Sequence, residues 1–118
     1  MVKNMMFKNK NVLVTGGTGM IGRELVQLLL DRGAKIRVAS LDEPVDFFEE
    51  VEFHKVDLTI YENCEMICEG MDYVFHVAGI KASAEMPKIK PLNYFIPLVK
   101  FNINMMEAAF KAGVGWYL

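Results

Sequence analysis

The chain has 118 residues, 53% of them hydrophobic, and a net charge of −2, so it holds one domain at most and lacks the basic stripe that nucleic acid requires. No apolar run reaches the roughly 18 residues of a membrane helix, and the N-terminal stretch MVKNMMFKNKN has no apolar centre of a secretory leader. A mean hydropathy of +0.20 is high for a short soluble chain and predicts elements buried on both faces, or a surface made for a partner.

Residues 11–15, NVLVT, are a short apolar run closed by glycine and read as a buried strand. Residues 20–32, MIGRELVQLLLDR, place Ile21, Leu25, Leu28 and Leu29 at helical spacing, with Gly33 as the stop. KIRVA at 35–39 is a second strand, followed by the turn SLDEPVDFFEE with Pro44 and several acids. VEFHKV at 51–56 alternates as a third strand, residues 60–69 form a short helix ended by Gly70, and DYVFHVA at 72–78 is a fourth strand, apolar nearly throughout. Residues 80–97 contain three prolines and read as a long excursion. LVKFNINMMEAAFKA at 98–112 is a helix ended by Gly113, and WYL opens a fifth strand. Strands alternating with helices imply right-handed crossovers and a parallel sheet covered on both faces. The expected architecture is doubly wound α/β, a Rossmann fold with strand order 3-2-1-4-5.

Cys64 and Cys68 lie four apart on the short helix. Zinc needs about four ligands and no second pair follows, so no metal is expected. The two thiols read as small buried side chains in a reducing compartment, and a cytoplasmic location is expected with them.

The spacing Gly16-x-x-Gly19-x-x-Gly22 follows the first strand and opens the first helix. Gly16 lets the chain turn sharply, Gly19 lets backbone approach a pyrophosphate, and Gly22 lets the helix pack tightly on the sheet. The helix N-terminus points its unpaired amides and positive dipole end at the phosphates. A tight strand-to-helix turn that binds nothing has the same spacing.

The first two glycines are three apart, in Thr-Gly-Gly-Thr-Gly-Met-Ile-Gly. This resembles the extended short-chain dehydrogenase/reductases, the NAD-dependent nucleotide-sugar epimerase/dehydratase branch. The resemblance continues through VDL at 56–58, DYVFHVAG at 72–79 and NMMEAAFKAGV at 104–114. It implies that Gly16, Thr18, Gly19, Met20, Ile21 and Gly22 surround a pyrophosphate. Asp57 and Leu58 would meet the adenine, and Ala78 and Gly79 would line the cofactor toward the nicotinamide. Asp57 could instead cap the helix that starts near Thr59. His76 reads as a satisfied core histidine, and His54 as structural or half exposed.

The family's ribose-binding acid at the end of strand 2 falls on Ser40, with Asp42 two residues later. Asp42, Glu43 and the absence of Arg or Lys from Ser40 to Phe53 point to NAD; NADP stays open. The family's cofactor-touching asparagine, before strand 5, is replaced by the stretch Leu98-Val99-Lys100-Phe101-Asn102. The family's Tyr-x-x-x-Lys acid/base pair is also missing: Glu65, Val77 and Leu98 stand four residues after Tyr61, Tyr73 and Tyr94, and the sequence ends after Tyr117.

The expectation is therefore an incomplete N-terminal dinucleotide-binding domain over residues 1–118, cut within strand 5, without a substrate domain and inactive alone. A non-catalytic NAD(P)-binding regulatory or redox-sensing protein is the alternative. The resemblance implies a nucleotide-sugar substrate for the full-length parent. Self-association is expected too. Strand 4 would lie near an edge, and Phe95, Phe101, Met105, Met106, Phe110 and Trp116 could be uncovered. The family also dimerises through helices like 98–112.

Overall fold

β1 (Asn11–Thr15) is the centre of the molecule, with Val12, Leu13, Val14 and Thr15 all buried. The computed structural model describes residues 6–44, 49–79 and 91–118. After β1 come α1 (Met20–Asp31), β2 (Lys35–Ser40), β3 (Glu52–Lys55), α2 (Tyr61–Cys68), β4 (Tyr73–His76), α3 (Pro91–Lys111) and β5 (Trp116–Tyr117). The strands are parallel, in the order β3-β2-β1-β4-β5, as the crossover argument predicts.

Alternation along β1 divides the core into two layers. Val12 and Val14 face α1 and join Val26, Leu29, Ile36 and Val38. Leu13 faces the other way, with Ile67, Cys68, Val74, Phe101 and Met105 from α2, β4 and α3. β4 is less enclosed than its apolar sequence predicts: Val74 is buried, whereas Tyr73, Phe75 and His76 are half-buried. Phe7 partly covers that flank, edge-on to Tyr73 at 5.6 Å and tilted against Phe75 at 6.2 Å between ring centres.

α1 seats two of the four side chains that the spacing turns inward, buried Leu29 and half-buried Leu25, and turns the other two out. Gly22, Val26 and Leu29 are its buried residues, while Ile21 is 73% and Leu28 50% exposed. The cause is steric. A Cβ on Gly22 would lie 2.1 Å from the Gly16 carbonyl oxygen and 2.7 Å from Gly17 Cα. The helix therefore rests its glycine on the preceding turn rather than on the sheet, and Ile21 and Leu28 rotate outward. At its other end Gly33, at φ +81, donates its amide to Leu30 and Ala34 donates to Leu29, a paired C-terminal closure.

α2 has no basic residue in its last turn. Arg37 of β2 supplies the positive charge from outside, donating to the carbonyls of Ile67 and Glu69 at 2.9 Å each. The same guanidinium pairs with Glu52 of β3. The hydrogen bond from His54, with Arg37 beside it, holds the Glu52 carboxyl below its ordinary range.

α3 starts at Pro91, so residues 91–97 belong to a helix and not to the excursion read from the sequence; residues 80–90 lie outside the described residues. Proline suits a first helical position because its missing amide has no partner there, and Pro97 stays within the helix. Phe101, Met105, Ala108 and Ala109 are buried on its inner face. The expected exposure of Phe101 and Met105 is thus overturned, while Phe95, Met106, Phe110 and Trp116 are exposed as expected. β5 is short, yet Leu118 extends its pairing: its amide donates to Val74 at 2.9 Å and its carbonyl accepts the His76 amide. The edge of β4 is therefore occupied. Among the described residues, no helix is long and apolar enough to cross a membrane.

Two adjacent methionines make the orientation of α3 testable. Met105 is fully buried and Met106 is 61% exposed. In urea unfolding at low protein concentration, Met105→Ala is expected to lose about 2–5 kcal/mol. Met106→Ala should stay within about 0.5 kcal/mol of the parent. Equal losses would show that α3 is seated differently.

Candidate functional site

The C-terminal ends of β1, β2 and β4 converge on the turn at residues 16–19, between β1 and α1. Gly16 has φ +71, and a Cβ there would lie 2.7 Å from Ala78 Cα. Both conditions demand glycine. Its amide donates to the Ala39 carbonyl at 2.8 Å, which fixes the turn to β2. A Cβ on Gly17 would meet Val38 Cγ1 at 2.7 Å, so this position is crowded as well.

Gly19 differs from these. Its backbone, φ −74 and ψ 173, is one that any residue adopts, and an added Cβ would find only the Gly16 carbonyl oxygen, at 3.4 Å. Nothing inside the fold requires a glycine at this position. No side chain caps α1, so its first amides face the rim of the turn. Met20, 88% exposed, and Ile21 extend outward beside them.

Polar side chains fix the exit of β2. Thr18 Oγ donates to the Asp42 carboxylate at 2.7 Å. Its proton thus committed, Thr18 accepts the Ser40 hydroxyl at 2.9 Å, and Ser40 Oγ accepts the Asp42 amide at 3.0 Å. Ser40 itself is buried. The acid two residues past the end of β2 is therefore held against the glycine turn. Glu43 beside it pairs with Lys55 of β3.

Asp57 follows β3, whose end is joined to β2 through the Val56 amide and the Ser40 carbonyl at 2.9 Å. Its Oδ1 accepts the amide of Thr59 at 2.9 Å and the Thr59 hydroxyl at 2.7 Å. The carboxylate thus closes the turn ahead of α2 without capping the helix itself, whose N-cap residue is Ile60. The Leu58 side chain is buried in the layer with α2 and α3, and its carbonyl accepts Asn104 Nδ2 at 3.0 Å. Leu58 is consequently turned away from the glycine turn, unlike Asp42. Ala78 lies against Gly16, and Gly79 is exposed beyond it.

A second polar chain was not anticipated from the sequence. Asn102 Oδ1 of α3 lies 2.7 Å from His76 Nε2, so that nitrogen donates. Nδ1 is then unprotonated and accepts the Thr15 hydroxyl at 2.7 Å. Thr15 Oγ in turn accepts the Ala78 amide at 3.2 Å. Burial pushes the His76 imidazole below its ordinary pKa, opposed in part by the bond to Asn102. His76 is a satisfied core histidine, as expected, but its partners are 61 and 26 residues away. The one available signal was polarity: a threonine and a histidine ending two buried strands. Leu98, standing at the family's asparagine position, packs half-buried against the core.

The expectation of two small buried thiols holds. Cys64 and Cys68 are free and buried, and burial pushes their thiols up to about 12 and about 11. Such thiols are neither nucleophiles nor ready ligands. Among the described residues there is no group of three or more His, Cys, Asp or Glu side chains that could hold a metal ion.

A family profile described as the NAD dependent epimerase/dehydratase family matches residues 12–118. The 3 beta-hydroxysteroid dehydrogenase/Delta 5→4-isomerase of Mycobacterium tuberculosis is 39% identical over 109 residues, covering 87% of this chain and 29% of that protein. Among solved structures, Pen from Bacillus thuringiensis superposes with a TM-score of 0.84 at 29% identity, over 96% of this chain and 38% of its own. The UDP-glucose 4-epimerase of Thermus thermophilus, in complex with NAD, gives 0.75 at 30% identity, over 88% of this chain and 35% of its own. The chain spans 29% and 25% of the first curated relatives it matches. With the profile covering nearly all of the sequence, the chain belongs to the NAD dependent epimerase/dehydratase family.

Proposed function

We propose that this chain binds NAD(H) across the ends of β1, β2 and β4, as the dinucleotide-binding part of a nucleotide-sugar epimerase/dehydratase-like oxidoreductase. The observation that carries this reading is Gly19, a glycine that the fold does not need, at the one point where backbone must approach a pyrophosphate closely. Gly16 and Gly22 shape the turn, and the amides at Met20, Ile21 and Gly22 meet the phosphates. Asp42, held by Thr18, takes the adenosine ribose hydroxyls and repels a 2′-phosphate. Asp57 meets the adenine amino group, Leu58 contributes backbone there, and Ala78 and Gly79 lead toward the nicotinamide. The ADP portion supplies most of the affinity.

The bound cofactor would supply hydride transfer. The relatives with matching sequence include a steroid dehydrogenase as well as sugar epimerases. In this reading the matched residues are the dinucleotide-binding part, and substrate recognition lies outside them. The nucleotide-sugar class follows the solved neighbours, one of them a UDP-glucose 4-epimerase holding UDP-glucose. No tyrosine here has a lysine four residues on, so the 118-residue chain should show no turnover by itself.

The outer face of α3 supports self-association. Leu92, Ile96, Val99, Ile103, Met106 and Phe110 recur at steps of four and three, the spacing of a helix-to-helix seam. All but half-buried Val99 are exposed in the single chain, Phe110 by 85%. A second copy of the chain is the proposed occupant.

Calorimetry tests the cofactor site. The parent chain should bind NAD, and Gly19→Val should melt as the parent does yet show no measurable binding; equal affinities would sink the reading. NAD should be preferred over NADP by about tenfold or more, since like charges placed together cost at least about 1.4 kcal/mol. Asp42→Asn should narrow that gap. Sedimentation equilibrium at micromolar concentration tests the seam: a dimer or larger species is expected, reduced to monomer by Ile103→Asp. A single species near 13.4 kDa for the parent would overturn it.

A further inference from the structure

The geometry points to His76 as a positioning residue whose neutral ring holds Ala78 against the glycine turn, so that acid loosens the dinucleotide site. The first part stands on the hydrogen bonds alone; the second rests on the cofactor reading above.

The chain of donors runs one way. Nε2–H of His76 donates to Asn102, the Thr15 hydroxyl donates to Nδ1, and the Ala78 amide donates to Thr15 Oγ. Ala78 is also the residue whose backbone leaves no room for a Cβ on Gly16. Its position and that of the turn are therefore mutually dependent. Each member lies on a different segment: Asn102 on α3, His76 on β4, Thr15 on β1, and Ala78 on the exit of β4.

A proton on Nδ1 breaks this order. Nδ1–H becomes a second donor to Thr15 Oγ, and the Thr15 hydroxyl proton loses its acceptor in a buried site. Of the three bonds, the Ala78 amide makes the longest, at 3.2 Å against 2.7 Å for the other two. It is the one that gives way.

Groups facing the ring offer no compensation. β1 presents Thr15, and α3 presents Asn102 and the edge of Phe101, at 5.6 Å between ring centres. β5 presents Tyr117, stacked at 6.1 Å, whose hydroxyl burial pushes up to about 12 and so remains uncharged. Burial and the Asn102 bond account for the His76 shift, with no charged side chain among its causes. The imidazolium would thus form half-buried with no carboxylate side chain paired to it, the Leu118 carbonyl being bonded to the His76 backbone amide instead. A lowered folded-state pKa means that stability is complete above the unfolded value, about 6.5, and falls as pH drops below it toward the folded value.

Nuclear magnetic resonance of the 15N-labelled 118-residue chain decides the first part. The imidazole nitrogen shifts should report the Nε2–H tautomer, and the Ala78 amide should titrate with the same midpoint as His76. Asn102→Asp places a carboxylate at Nε2 and should raise both midpoints together by about one pH unit or more. The Ala78 amide should also exchange with solvent faster below that midpoint, which a purely structural role for His76 would not produce. An Nδ1–H tautomer, or an Ala78 amide indifferent to the His76 titration, overturns the assignment. For the second part, the NAD dissociation constant should rise about tenfold per pH unit below that midpoint, and His76→Gln should flatten the dependence. Binding that stays constant through the midpoint overturns it. Should NAD bind at no pH, the cofactor reading and the second part fall together, while the first is judged on the Ala78 titration.

Discussion

Gly22 meets Gly16 backbone to backbone, and the contact leaves no room for a single methyl group. A Cβ on Gly22 would stand 2.1 Å from the Gly16 carbonyl oxygen. The rotation of α1 about its axis follows, because the helix can approach the turn only with residue 22 facing it. Val26 and Leu29 then enter the core, while Met20 and Ile21 point outward at the rim. The direction in which the first amides of α1 point follows from the same contact. The orientation of the first α1 amides and the α1 half of the core are two consequences of one steric limit.

Two threonines bracket that turn. Thr15 ends β1 and reaches toward β4, through His76 on one bond and the Ala78 amide on another. Thr18, three residues on, reaches the opposite way to Ser40 and Asp42 at the exit of β2. A β1–α1 turn held on one side only would be free to tilt about β1. Bonds to both neighbouring strands remove that freedom, and the one to Asp42 also sets a carboxylate beside the turn. Fixing the backbone in advance lowers the ordering cost of any ligand that this turn holds.

Much of this was legible from the residues alone. Strand order followed from alternation of apolar runs with helices, and the turn from glycine spacing. The register of α1 was legible in part: Gly22, Leu25 and Leu29 read as inward and are, whereas hydropathy spacing also weighs Ile21 and Leu28 as inward and packing turns them out. The start of α3 was hidden by Pro91 and Pro97, which read as breakers although Pro91 sits where its missing amide costs little. The Thr15–His76–Asn102 relay joins positions 61 and 26 residues apart, a separation that no local pattern encodes. Asp42 was found as the nearest acid to Ser40, but its attachment to Thr18 was not, since that bond depends on β1 and β2 lying side by side.

α3 connects the surface to this site. Its inner stripe of Phe101, Met105, Ala108 and Ala109 seats it on the core, and Asn102, next to Phe101, holds the His76 ring. Its outer stripe passes one residue further on, through Ile103, which is exposed in the single chain. A helix is stiff over one turn, so a load on Ile103 and Met106 reaches Asn102 as a small rigid displacement rather than a local bend. The His76 bond to Asn102 is short and directional, and bonds of that kind weaken steeply once their angle is lost. Tight seating of the inner stripe is therefore what allows the outer stripe to be covered without disturbing the relay. The fully buried Met105, one turn from Asn102, is the side chain best placed to provide it.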